Sequence, residues 1–240
     1  MLIQDLVEFT DRNRLVIVSL STVLCGIVYT ILLKGFGATR RTSSEIASIF
    51  HHMVVIVLSI CCMYENMDHL LHDSVLTAST RFPLVNTIQW INIGYFIYDS
   101  VHAIAWEHNF VIHHAVALSG FIVSDVEGLG GLGNAVNTLI AEIGSVMYNV
   151  YNKNKSLRNY LFFVVTYTIT RVVFVGWTYW VFIQLYNGYN SIGYAHCQRF
   201  IVFVFLFQAL LVIVNIQFLS VHLRKAYRVT RSHVESKKQQ

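Results

Sequence analysis

Leu15-Val-Ile-Val-Ser-Leu-Ser-Thr-Val-Leu-Cys-Gly-Ile-Val-Tyr-Thr-Ile-Leu-Leu33 contains no charged side chain. As a helix rising about 1.5 Å per residue it covers roughly 28 Å, close to the ~30 Å hydrocarbon core of a bilayer. Outward from this stretch the pattern repeats. Residues 46–63 are interrupted only by His51 and His52, and further apolar runs lie at 87–105, 110–124, 134–151, 160–186 and 200–221. Seven spans result. The run at 110–124 is short against the ~20 residues a crossing needs, which leaves a short or re-entrant helix as the alternative there.

The composition agrees with an all-α integral membrane chain. Of 240 residues, 55% are hydrophobic and 12% charged, with one proline. A soluble domain carries about 25% charged residues, twice what is available here to solvate a surface. One proline also leaves few forced kinks, and it argues against receptor-type bundles with proline in several helices. The net charge of +4 sits beside apolar runs, so nucleic acid is excluded as a partner. Cys25, Cys61, Cys62 and Cys197 form no CxxC pair and read as small packing residues. Asp5, Glu8 and Asp11 precede or flank the first arginine, so no basic targeting peptide is expected.

Alternating through seven spans from a cytosolic C-terminus places twelve lysines and arginines in the cytosol, among them Lys34, Arg40, Arg41, Lys153, Arg158 and Arg224. Only Arg12, Arg14, Arg81 and Arg199 face the other side, as the positive-inside rule expects. The N-terminus is then lumenal. Lys237 and Lys238 stand at positions −4 and −3 of the cytosolic tail, where a lysine pair resembles a retrieval signal for the endoplasmic reticulum.

Three charged residues remain inside the spans: Asp99, Glu142 and Arg171. Unpaired, each costs about 2.5–3.5 kcal/mol at a span centre. They are therefore expected to face the bundle interior and to pair with each other or with histidines. Asp99 and His102 share a helix face, where the carboxylate can orient the imidazole for acid–base work. His113 and His114 are adjacent and point about 100° apart, so only one can aim squarely at a shared site. Glu142, Ser145 and Asn149 form one polar stripe, and Tyr167 with Arg171 forms another pair. Polar groups from five spans share a similar depth, which predicts one pocket opening towards the cytosol. A structural ion pair locking the helices is the plainer alternative. No span carries an HxxxH or ExxH spacing, so no metal is expected. The glycine-rich stretch 127–133 lacks a phosphate-loop ending and reads as a flexible lumenal turn.

Ser48-Ile-Phe-His51, Gly94-Tyr-Phe-Ile-Tyr-Asp99, Ile112-His-His-Ala-Val-Ala-Leu118, Leu139-Ile-Ala-Glu142 with Asn149, and Thr170-Arg171 occur in an order that resembles the TLC-domain family. That group includes ceramide synthases, the translocation-associated TRAM proteins and several small lipid-homeostasis proteins. The resemblance implies one leading helix followed by a six-helix barrel around a lipid cavity. It divides the chain into 1–39 (lumenal segment and leading helix), 40–225 (the TLC domain) and 226–240 (a basic cytosolic tail). The paired histidines of the synthases match His113-His114. Their downstream His-Asp-x-x-Ser-Asp type stretch is replaced by Thr138-Leu-Ile-Ala-Glu-Ile-Gly-Ser145, and a homeobox-like insert is missing. The chain thus stands nearer the small lipid-homeostasis members.

Two functions of different class follow, with a third beside them. The first is lipid binding in the polar pocket through His51, His102, Glu142, Asn149 and Arg171, acting in lipid homeostasis, with membrane lipids as partners and no cofactor. The second is an acyltransferase with acyl-CoA as co-substrate, in which His113 or His114 is base or transient nucleophile and Asp99 its partner. The third is a lipid-binding subunit of an assembly with other membrane proteins. The retrieval pair and the family habit point to the endoplasmic reticulum membrane.

Overall fold

A computed structural model describes residues 13–72, 75, 76, 78, 79, 82–106, 111–190 and 197–238, excluding the side chains of 71, 83, 106 and 232–238. Helix α1 (Arg14–Thr30) runs on through a π-helical segment, Ile31–Gly35. There follow α2 (Arg40–Glu65), the short α3 (Met67–His72), α4 (Pro83–Trp106), α5 (Val111–Glu127), α6 (Gly131–Lys153), α7 (Leu157–Tyr189) and α8 (Gln198–Lys238). Among the described residues there is no strand, only an isolated bridge between Ala78 and Leu129. Each apolar run lies within one long helix, apart from the first residue of the fourth, Phe110, which lies outside the described residues. The protein is an all-α membrane protein.

The helix starts follow from local chemistry. Thr39, extended at φ −68° and ψ 157°, caps α2 by accepting from the Thr42 N–H at 3.1 Å. Ser156 does the same for α7, accepting from the Asn159 N–H at 3.2 Å. Pro83 is the first residue of α4, where a missing N–H costs nothing.

Four helices are long and apolar enough to cross a membrane by themselves: Arg14–Gly35, Arg40–Glu65, Leu157–Tyr189 and Gln198–Arg231. The other three long helices fall short for a physical reason. Helices α4 and α6 spend residues on buried amides and hydroxyls, among them Asn86, Gln89 and Asn92, and Thr138 and Asn149. Helix α5 has 17 residues, which is about 26 Å of length.

Packing closes a ring. Helix α2 lies against α6, α6 against α7, α7 against α8, α8 against α5, α5 against α4, and α4 back against α2. Helix α1 stands outside it, on α4 and α2. Small side chains make that seam: Ser21 Oγ donates to the Ile91 carbonyl and Thr22 Oγ1 to that of Gly94, both at 2.9 Å. Any Cβ at position 94 would lie 2.7 Å from Ser21 Cβ, so only glycine lets the backbones approach this closely.

Apolar residues cover the outside as well as the core. Phe162, Val165, Ile169, Val172 and Val173 form an exposed face on α7, and Leu206, Ile213 and Ile216 another on α8. Water would penalise faces of this extent, whereas lipid does not. Inside, one end of the ring is filled by Phe82, Val85, Ile88, Leu132, Val136 and Phe174. The glycine-rich connection between α5 and α6 is tied down by hydrogen bonds to Ser79. Gly128 and Gly130 take φ of 66° and 74°, and Ser79 donates its N–H to the Gly128 carbonyl at 2.8 Å. The Gly131 N–H in turn donates to Ser79 Oγ at 3.2 Å. Gly130 and Gly131 serve close packing there, a Cβ on Gly131 colliding with Val85, whereas Gly128 has open space and supplies the left-handed backbone of the turn.

Candidate functional site

The other end of the ring is hollow. A cavity of about 610 Å³ lies between all six helices, within the size range of small-molecule sites. Its mouth is marked by Arg40, Arg41, Asn149, Asn152 and His222, and Phe121, Phe174 and Phe207 line its deeper part. The mouth is therefore at the end where α2 and α7 begin and α6 finishes, the end rich in lysine and arginine.

The intramembrane charges face this cavity, as the insertion cost required. Glu142 on α6 meets His52 on α2, with Oε2 and Nδ1 2.6 Å apart and each side chain 7% exposed. Asp99 on α4 meets His114 on α5, with Oδ2 and Nε2 3.2 Å apart. Each pair joins neighbouring helices of the ring, so each can both staple the bundle and present an oriented imidazole to the cavity. A carboxylate-held imidazole is the minimal apparatus for moving a proton. The third charge is different. Arg171 on α7 is 7% exposed, lines the cavity, and lies over the Tyr167 ring with Cζ 4.1 Å from its centroid.

The predicted site residues do not all share one role. His113, His114, Asp99, His102, Glu142, Asn149 and Arg171 line the cavity. The Asp99 carboxylate is aimed across to His114, while His102 packs edge-on to Tyr29 and tilted against Tyr98, with centroids 4.5 and 4.8 Å apart. His113 keeps its ring 5.8 Å from that of His114, consistent with only one of the two addressing Asp99. His51 turns away from the cavity and stacks on Tyr95 at 3.7 Å with the planes 7° apart. Tyr95 is itself anchored by donating its hydroxyl to Ser48 Oγ at 2.9 Å. His52, not singled out as a site residue, takes the place given to its neighbour. A 100° step along the helix separates the two, and sequence order does not say which one faces inward. The side-chain nitrogens of His51 and His52 and a carboxylate oxygen of Glu142 lie within 4.8 Å of one another, a grouping from two helices that could hold a metal ion and that no spacing within a span would reveal.

Sequence reading also missed the polar ground beneath the dyads. Asn92 Nδ2 donates to Thr138 Oγ1 at 3.1 Å, Gln208 Nε2 to Asn137 Oδ1 at 3.1 Å and to Thr178 Oγ1 at 3.2 Å. The signal was present: Asn134 and Thr138 extend the Glu142–Ser145–Asn149 stripe at the same spacing. Of the four cysteines, Cys25, Cys62 and Cys197 are buried and free, and Cys61 is exposed. The tail pair Lys237 and Lys238 ends α8 with side chains outside the described ones, and Gln239 and Gln240 lie outside the described residues, as do residues 1–12 and Arg81.

A family model described as the TLC domain matches residues 41–223. The chain belongs to the TLC-domain family. The TLC domain begins in the first turn of α2 and runs into α8, so it takes in all six helices of the ring and leaves α1 outside. No curated protein and no solved structure matches the chain.

Proposed function

We propose that this TLC-domain protein binds a membrane lipid inside the ring and acts in lipid homeostasis. The observation that carries the reading is the cavity itself, about 610 Å³ in volume, lined by six helices and by the span residues Asp99, Glu142 and Arg171. Charges placed there at a cost of several kcal/mol are retained where they contact something. Apolar surfaces such as Phe121, Phe174 and Leu211 beside polar ones such as Glu142 and Arg171 match an amphiphile, with both a chain and a head group. The test is lipid co-purification in mild detergent, comparing the native chain with Ala141→Trp, which places an indole in the cavity wall. A stoichiometric lipid lost in the variant supports the reading. Equal lipid in both, with the variant folded, overturns it.

A second reading, an acyltransferase, rests on the Asp99–His114 contact at 3.2 Å inside the same cavity. His114 would be the base or transient nucleophile, Asp99 its orienting partner, and acyl-CoA the acyl donor. Lipidomics of cells lacking the protein separates the two. Rescue of an acylated lipid by wild type and by His113→Ala, but not by His114→Ala, selects chemistry. Rescue by all three selects binding.

We place the protein in the endoplasmic reticulum membrane with its C-terminus and cavity mouth in the cytosol. The lysine and arginine bias of the mouth end and the Lys237–Lys238 pair support this. Lys237→Ser/Lys238→Ser is expected to move the protein to later compartments, and unchanged location would remove the signal from the argument.

A further inference from the structure

We propose that the lipid taken up by this cavity is anionic, and that Arg171 is the residue that selects it. The inference rests on the lipid-binding reading and names the chemistry of the head group.

At the mouth the cavity carries Arg40 and the Arg41–Glu45 pair, 2.8 Å apart. The two deeper carboxylates are directed at imidazoles, Glu142 at His52 over 2.6 Å and Asp99 at His114 over 3.2 Å. Arg171 has no such partner: among the described residues it makes no ion pair, and its Nε has no hydrogen-bond acceptor although the atom is buried. Its guanidinium lies over the face of Tyr167, with Cζ 4.1 Å from the ring centroid. A guanidinium on an aromatic face is held through its own plane, whereas its five N–H donors lie around the rim of that plane. The ring attracts the charge but offers no acceptor oxygen to its donors, and the buried Nε has no acceptor at all. A buried cation left with unfilled donors is costly, and the ligand best shaped to fill them is a planar or tetrahedral oxyanion bound by two parallel N–H bonds.

The wall around Arg171 is cut to leave it this freedom. Position 144 on the facing helix α6 is glycine, and a Cβ there would stand 3.5 Å from Arg171 Nη2, 3.1 Å from the Tyr167 ring and 3.3 Å from Thr170 Oγ1. Any larger residue would press on the stacked pair. Towards the mouth, Phe163, Tyr148 and His222 surround the approach, His222 lying 4.9 Å from Phe163 and 6.0 Å from Tyr167 between centroids. One turn deeper stands Phe174, and Leu211 and Phe207 continue the apolar wall. Below the arginines of the mouth, a cation set between apolar surfaces fits an acyl chain ending in one carboxylate or phosphate.

The experiment uses the full chain purified in an uncharged detergent and four probes: oleate, oleoyl lysophosphatidic acid, oleyl alcohol and inorganic phosphate. Occupancy is read by native mass spectrometry. Oleate or the lysophosphatidic acid is expected to bind at least tenfold more tightly than oleyl alcohol, which has the same chain and no charge. Arg171→Gln is expected to bring the charged probes down to the level of the alcohol, and Arg171→Lys to keep part of the difference. Equal binding of oleate and oleyl alcohol by the native chain overturns the anionic assignment and leaves lipid binding standing, without reference to any variant. An undiminished preference in folded Arg171→Gln overturns the role of Arg171. If no oleyl probe binds, the lipid reading itself fails. Phosphate binding that gains nothing from a chain assigns Arg171 to a free anion and likewise removes the lipid.

Discussion

The pair between His52 and Glu142 gives the most direct test of how this ring is held. Leucine at either position removes one partner and leaves the other buried in a site where both side chains are 7% exposed. The size of the effect depends on the state of the pair. A neutral hydrogen bond between membrane helices contributes about 0.6 kcal/mol and rarely more than about 1.7. Breaking a buried ion pair from one side costs about 3–5 kcal/mol, because the remaining charge is stranded. The carboxylate and the imidazole face each other across 2.6 Å, both nearly fully buried, so the range for a buried ion pair is the one to test. Glu142→Leu and His52→Leu are each expected to cost about 3–5 kcal/mol. The double variant is expected to cost much less than their sum, because two apolar groups replace two polar ones in an interface that already packs tightly. The coupling should exceed about 2 kcal/mol. Unfolding by SDS titration of the purified protein in micelles, followed by helical circular dichroism, measures all four corners of the cycle. Costs that add to within about 0.5 kcal/mol would refute the reasoning and make the two residues independent packing elements.

Gly94→Val should loosen α1 from the ring at a cost of about 1–3 kcal/mol, since its Cβ has no room beside Ser21. Gly26→Val, where an added Cβ meets nothing within 4 Å, serves as the control and is expected to change stability little, both variants being read by thermal denaturation. Gln208→Leu removes bonds to Asn137 and Thr178 at 3.1 and 3.2 Å and strands their polar atoms, for a loss of about 1–3 kcal/mol. Adding Asn137→Leu should recover part of that loss. A further drop in the double variant would show that Asn137 has other work in the cavity wall, which it also lines.

The class of the protein was legible because a bilayer imposes its requirement locally. Nineteen uncharged, mostly apolar residues in a row, as at 15–33, need no knowledge of the rest of the chain to be read as a crossing helix. The same logic located the site. Asp99, Glu142 and Arg171 are expensive wherever they stand in lipid, so their inward orientation followed from cost alone. The stripe of Glu142, Ser145 and Asn149 followed from helical periodicity, which is likewise a local property. What the sequence could not supply was partnership. His51 and His52 are consecutive, and only the rotation of α2 against α6 decides that His52 meets Glu142 while His51 stacks on Tyr95. Asp99 was expected to partner His113 or His114, and only the rotation of α5 against α4 decides that its carboxylate meets His114. Local periodicity thus decided which residues enter the membrane and which turn inward. Only the closure of six helices into a ring decided that both carboxylates would meet imidazoles and that Arg171 would be left with a tyrosine face, because a side chain's partner depends on the relative rotation and depth of two helices far apart in the chain.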